Sequence, residues 1–260
     1  MHSLLDDYAH ANALRDVSPR VKLLLGLGSV LICISSTSPL APACMAIALS
    51  LVTVFMARIP ARVYSRLLLL PLSFALLSVA VVAFMHGKDE PIFSANIFGL
   101  NLGITGEGAD LALLLLARTF GSMCALFFLG LTTPMIEIFS VLRSLKLPEV
   151  MIELSMMIYR YIFVFLDQAA TIHSAQVMRL GDASFRSSLN SLAMLASILF
   201  IRAWEQGERL TVAMDARCYN GHLEVMESEA TLTSRSLLAT FLYLAAAGAL
   251  AYLTRDLRLI

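Results

Sequence analysis

The chain is predicted to be an all-α, polytopic integral membrane protein with about five transmembrane helices and a cytoplasmic insert of long amphipathic helices. Three observations carry that prediction. Of 260 residues, 58% are apolar and only 15% are charged, against roughly 25% charged in an average soluble domain. The charges leave long gaps: none between Lys22 and Arg58, none between Arg66 and Lys88, only Arg118 within 111–136, and none within 236–254. Residues 132–234 instead mix Met, Leu and Ile with scattered charges.

A helix needs about 20 mainly apolar residues to cross the hydrocarbon core. A lipid-exposed backbone must satisfy its own hydrogen bonds, which makes helices the default. The first gap is long enough for two crossings, and Ser35-Ser36-Thr37-Ser38-Pro39 with Pro42 supplies the turn between them. The predicted spans lie near 21–36, 40–57, 67–86, 111–131 and 235–253.

Orientation follows from the loops. Arg58, Arg62 and Arg66 form a short basic loop without an acid, and Arg15, Arg20 and Lys22 flank the first span. The 87–110 loop sets Lys88 against Asp89, Glu90, Glu107 and Asp110. The positive-inside rule puts the N-terminus and residues 58–66 in the cytoplasm and 87–110 outside. Residues 132–234 are then cytoplasmic and the C-terminus is outside, where Arg255 and Arg258 run against the rule. With Asp6 and Asp7 and no early apolar run, no cleavable signal peptide is expected. The predicted divisions are a four-span membrane domain over 1–131, the cytoplasmic region 132–234, and a C-terminal span within 235–260.

Within the insert, Pro134 opens a helix that Pro148 closes. From Glu149 to Met178 there is neither Gly nor Pro for 30 residues, enough for a helix of about 45 Å. Gly181-Asp182 punctuates it, and a second long helix runs from about Ser187 to Ala216, stopping before Asn220-Gly221. Such helices pack on a partner or lie at the membrane face. Their ends resemble each other: Ala175-Gln176-Val177-Met178-Arg179 and Ala213-Met214-Asp215-Ala216-Arg217 each place Arg four residues after Ala. A cation near a helix C-terminus offsets the macrodipole, and a following Gly caps the helix. A guanidinium at a helix tip can equally fork onto a carboxylate of another protein. Spacing alone does not choose between these two readings.

Several chemistries are missing. The only Gly-Lys pair, Gly87-Lys88, has Val82 where the first Gly of a phosphate-binding loop would stand. HExxH and GxSxG are absent. The four cysteines, Cys33, Cys44, Cys124 and Cys218, have no metal-ligand or disulfide spacing. Five histidines are scattered, and His2, though near the amino terminus, is placed in the cytoplasm. With zero net charge, nothing suggests a nucleic-acid partner. The predicted spans hold no carboxylate, and their lone charge, Arg118, would repel cations. Its expected role is pairing within the membrane, with Asp110 or a partner subunit. This chain is therefore a poor ion conduit and reads as a membrane scaffold that transmits force.

Further stretches carry a resemblance over nearly the whole length. The entry Ser18-Pro19-Arg20-Val21-Lys22-Leu23-Leu24, the exit Leu131-Thr132-Thr133-Pro134, and Tyr159-Arg160-Tyr161 with Phe165-Leu166-Asp167-Gln168 are three of them. With the paired ends at Arg179 and Arg217, they resemble the transmembrane T component of energy-coupling-factor (ECF) transporters. Leu180 and Cys218 depart from that family, standing where its Ala-Arg-Gly signature has Gly and where a close backbone contact would need it. Asp7-Tyr8-Ala9-His10-Ala11-Asn12-Ala13-Leu14-Arg15 resembles the opening of the cobalt/nickel branch.

The resemblance implies a non-enzymatic scaffold subunit of an ATP-driven cobalt importer in a bacterial inner membrane. The equivalent nickel subunit is the near alternative, and a stand-alone secondary cation transporter the rival from another class. Two ATP-binding-cassette ATPase subunits would dock on the coupling helices at Arg179, Arg217, Ala175, Ala213 and Ala216. A separate metal-binding membrane subunit would capture the ion, with a further small membrane subunit as an optional addition. ATP and Mg would be bound by the partners, and no metal or cofactor by this chain.

Overall fold

The structure is a computed structural model, and it describes residues 8–15, 17–85, 93–97, 100–104, 106–145, 147–221 and 234–255. Outside the described residues lie His2, Lys88, Asp89, Glu90 and Arg258, so those parts of the loop, histidine and C-terminal predictions fall beyond it. The chain is an all-helical polytopic protein with one short hairpin. In order come α1 (Pro19–Ser35), α2 (Leu40–Leu51), a π-helical turn (Val52–Met56), α3 (Ala61–Met85), β1 (Phe93–Ile97), β2 (Leu100–Ile104) and α4 (Gly106–Thr132). Then follow α5 (Met135–Ser144), α6 (Glu149–Met178), α7 (Phe185–Asp215) and α8 (Ser234–Leu253).

Local chemistry explains the boundaries. Pro19 sits at the start of α1, where its missing N–H costs nothing and its fixed φ suits the helix. Ser36 breaks out of the helix with ψ 135°, and its hydroxyl donates to Ser38 O at 2.8 Å. The predicted serine-rich turn is therefore held by its own side chain. The π turn ends in Arg58, which adopts a left-handed φ of 55°. Helix α3 begins at Ala61 rather than near 67, so Arg62 and Arg66 stand on helical turns and not in a basic loop. Pro71 lies inside α3; such breaks are tolerated in spans because neighbouring helices and hydroxyls satisfy freed backbone groups. The segment read as an outer loop contains an antiparallel pairing, Phe93 opposite Ile104 through Ile97 opposite Leu100.

The chain divides into two compact units, Met1–Ile138 with Ser228–Ile260, and Phe139–Glu227. In the first, α4 packs against α1, α2 and α3, and α8 packs on α1 and α2. Its core joins Ala46, Leu49, Tyr64, Leu68, Cys124, Ala125, Phe128 and Leu131. Small residues let these backbones approach. At Gly121 a Cβ would lie 2.9 Å from both Cys33 Sγ and Pro42 O, so only Gly fits where α1, α2 and α4 meet. One side of α3 stays uncovered, with Leu69, Leu70, Phe74 and Leu77 largely exposed. In the second unit Tyr159 stacks edge-on with Phe139 at 6.3 Å and with Phe163 at 5.2 Å, tying α5 to α6.

Among the described residues four helical stretches are long and apolar enough to cross a membrane: Ala61–Val82, Gly108–Thr132, Phe185–Asp215 and Ser234–Leu253. Leu40–Met56 and the 17-residue α1 are shorter, about 26 Å each. Phe185–Asp215 passes on its apolar first half. Its second half carries a charged face on which Arg209 and Glu205 pair at 3.1 Å, and Trp204 Nε1 donates to Glu208 Oε1 at 2.9 Å.

Candidate functional site

The two matching helix ends in the second unit close in the same way. At the end of α6, Gly181 N donates to Gln176 O at 2.9 Å and Leu180 N donates to Val177 O at 3.0 Å. This paired bonding, with the intervening residue left-handed, is a Schellman cap. Leu180 is that residue, at φ 61°. At the end of α7, Tyr219 N donates to Met214 O at 3.1 Å and Cys218 N donates to Asp215 O at 3.0 Å. Cys218 is left-handed at φ 59°. Leu180 and Cys218 stand where Gly was expected for a close contact. The backbone gives a different reason for that expectation: both positions need positive φ, which only Gly adopts without strain.

Each Arg is thus the last residue before the reversal, and Arg179 and Arg217 are both exposed. Neither guanidinium has a hydrogen-bond or ion-pair partner among the described residues. Ala175 and Ala213 lie one turn back on the same face, and they and Ala216 are exposed as well. Their small side chains leave each guanidinium open on that side.

The first tip is braced by the turn that follows. Gln176 Nε2 donates to Ser191 O at 2.9 Å, and Ser191 Oγ donates to Gly181 O at 3.1 Å. A Cβ on Gly181 would lie 2.7 Å from Ser191 Oγ, so the turn closes only with Gly there. The second tip is held by Tyr219, whose hydroxyl donates to Glu153 Oε2 at 2.9 Å. That hydrogen bond, more than desolvation or the carboxylate charge, raises the phenol above its ordinary pKa. Between the tips, Gln206 Nε2 reaches Tyr161 Oη at 3.5 Å. Partners on α6 fall from 176 to 161 to 153 as those on α7 rise from 191 to 206 to 219, so the two helices run antiparallel. The tips stand at opposite ends of this hairpin, separated by about the 46 Å length of α7.

A second cluster, in the first unit, was not foreseen. Lys22, read as a flanking charge, is buried. Its Nζ donates to Thr132 O at 3.1 Å and lies 3.7 Å from Glu137 Oε2. Asn12 Nδ2 donates to Ala9 O at 2.6 Å and to Thr132 O at 3.2 Å. Asn12 and Lys22 therefore meet the distant stretch Leu131–Pro134 at the end of α4. Carbonyls there have no partner within the helix, and the amide and ammonium supply donors. The available signal was a Lys inside the first turn of an apolar helix; a membrane-facing charge there would be costly.

Arg118 pairs with the chain itself. Its Nε donates to Ser36 O at 2.8 Å and its Nη2 reaches the same oxygen. The expected pairing with Asp110 is replaced by a brace from α4 to the exit of α1. Among the described residues no three His, Cys, Asp or Glu side chains form a group that could hold a metal ion.

Comparison with known proteins matches residues 10–228 to a family described as CbiQ, cobalt transport protein. The chain is 42% identical over 243 residues to a putative fused cobalt transport protein CbiMQ of Methanocorpusculum labreanum, covering 93% of this chain and 41% of that protein. It is 30% identical over 209 residues to the cobalt transport protein CbiQ of Rhodobacter capsulatus, covering 80% of each. It is also 26% identical over 257 residues to an energy-coupling factor transporter transmembrane protein EcfT of Acidaminococcus fermentans, covering 92% of this chain and 93% of that one.

Proposed function

Since this chain belongs to the CbiQ cobalt transport protein family, we propose that it is the transmembrane scaffold subunit of an ATP-driven, ECF-type cobalt importer. It is a multi-pass membrane protein, with the N-terminus and residues 132–234 in the cytoplasm of the cell it serves. Two ATP-binding-cassette subunits, which bind ATP and Mg, dock one on each Arg-bearing tip. A separate membrane subunit captures the ion, so cobalt is cargo that this chain does not ligate. Domain-scale motion of the ATPases is passed along α6 and α7, and the hairpin delivers it to the membrane helices. Chemistry of hydrolysis and of metal capture both lie in the partners.

The observation that supports this reading best is the repeated helix end. A capping Arg needs no neighbour stripped down to Ala, and it would serve on either side of the hairpin. Here the same cap, the same Ala one turn back and the same unpartnered guanidinium recur at both ends. That is the geometry for two copies of one partner. Nickel remains the alternative cargo, because a scaffold without ligands has no means of selecting the ion.

Co-purification with the full transporter tests the proposal. Tagged chain should carry two ATPase copies and one metal-binding membrane subunit. Arg179→Glu or Arg217→Glu should abolish cobalt uptake and loosen the ATPases while the protein still inserts. The cost is several kcal/mol if like charges face each other at a partly buried contact, of the order of 2–5 kcal/mol. Normal uptake with a full set of partners in both Glu variants would leave only the capping role.

A further inference from the structure

The two tips share a backbone but differ in what surrounds the guanidinium. Around Arg179 stand Met178 at 86% exposure, Leu180 at 77% and Phe185 at 86%. Leu180 occupies the left-handed turn directly after the Arg. An open recess of about 270 Å³, lined by His173, Gln176, Asp182, Phe185, Leu189 and Leu192, lies next to this group. Asp182, the nearest acid in sequence, sits 4.0 Å from His173. At Arg217 the corresponding positions are small or polar: Ala216 for Met178, Cys218 for Leu180, and Asp215 for Val177. Tyr219 is turned to Glu153. Among the described residues the nearest large exposed apolar side chain along the chain is Val212, five residues back, and Val150, Met151 and Leu154 are exposed on α6 around Glu153.

Burying exposed Met, Leu and Phe side chains strengthens association in proportion to the area removed from water. Asp215, exposed two residues before Arg217, also sets a negative charge beside any carboxylate that approaches. From this contrast we propose that the two tips hold their ATPase copies with unequal strength, the Arg179 tip with Met178, Leu180 and Phe185 as the lasting anchor and the Arg217 tip as the releasable contact. The inference rests on the docking reading above. It assigns the partner surface as well: the ATPase presents a carboxylate ringed by an apolar patch, and Met178 and Leu180, beside Arg179 in sequence, fill the patch where Ala216 and Cys218 do not. Motion then has a fixed end and a free end, so the hairpin turns about its elbow.

Nucleotide-free ATPase titrated onto the complete tagged chain, read by native mass spectrometry, distinguishes the two tips. Arg217→Glu leaves the elbow tip, and Arg179→Glu leaves the other. The remaining copy should bind at least tenfold more tightly to R217E than to R179E. Adding Met178→Ser and Phe185→Ser to R217E should close that gap. Cys218→Leu added to R179E should tighten its remaining copy several-fold, a gain that misfolding cannot produce. Residual affinities within twofold of each other, or no gain from Cys218→Leu, would overturn unequal anchoring with docking intact. If both Glu variants keep two copies at wild-type affinity, the docking reading itself fails.

Discussion

A buried lysine is the residue on which the base of the membrane unit turns. Lys22 is 2% exposed, and its ammonium faces Thr132 O and Glu137. Removing one member of a buried pair strands the other, at about 3–5 kcal/mol. Lys22→Met should therefore lower stability in detergent by an amount of that order, and Lys22→Met with Glu137→Gln should recover part of it. A double variant no more stable than the single would assign the loss to contacts of Lys22 other than Glu137. The sequence named Lys22 as one of several flanking basic residues. Periodicity showed where its helix lay but not that Thr132 and Glu137 would close over it, because those contacts span more than a hundred positions. Arg118 was recognised as an intramembrane charge needing a partner; that the partner is the Ser36 carbonyl depends on how α1 ends beside α4.

At the scale of the element, helix ends carry the information. Both long helices stop in Schellman caps whose left-handed residue is not Gly. An L-residue in that region costs roughly 1 kcal/mol or more. Leu180→Gly and Cys218→Gly should each raise unfolding stability by about 0.5–1 kcal/mol, and the two should add, since the sites are about 46 Å apart. Leu180→Gly alone should also weaken ATPase binding, so stability and docking would move in opposite directions at one residue. Gly181→Ala should destabilise, because its Cβ would crowd Ser191 and Gln176. Thermal unfolding of the four variants checks the set, and a destabilised Cys218→Gly would contradict the strain account. The sequence marked these ends by Arg and by the Gly and Asn that follow. It could not show the left-handed backbone at Leu180 and Cys218, because no propensity favours it there.

For the whole molecule, the membrane topology is the property most open to test. The proposed arrangement has residues 58–66 inside and 87–110 outside. A cysteine at position 62 in a cysteine-free background should react with an impermeant thiol reagent only when the cytoplasmic face is open, and one at position 89 only from outside. The reverse pattern would place the Arg-bearing tips away from any ATPase. Four helices among the described residues are long and apolar enough to cross, Phe185–Asp215 among them; the five predicted crossings instead need α1 and Leu40–Met56, which are short for a bilayer core of about 30 Å. Short spans of this kind are accommodated by local thinning or by flanking side chains. Gly121 and the small residues around it allow α4 to sit centrally among three neighbours.

By itself the sequence determined the helical membrane class, the limits of the long apolar helices within a few residues, and the two Arg-bearing ends. These are local quantities: an apolar run, a proline and a period of 3.6 act on neighbours in the chain. Only the tertiary structure decided that Lys22 is buried and that Asn12 serves the end of α4. It also decided that Arg118 braces a backbone carbonyl and that α3 starts early enough to take up Arg62 and Arg66. Each of those depends on which distant side chain excludes water from a given atom, and burial is settled only when the helices have packed.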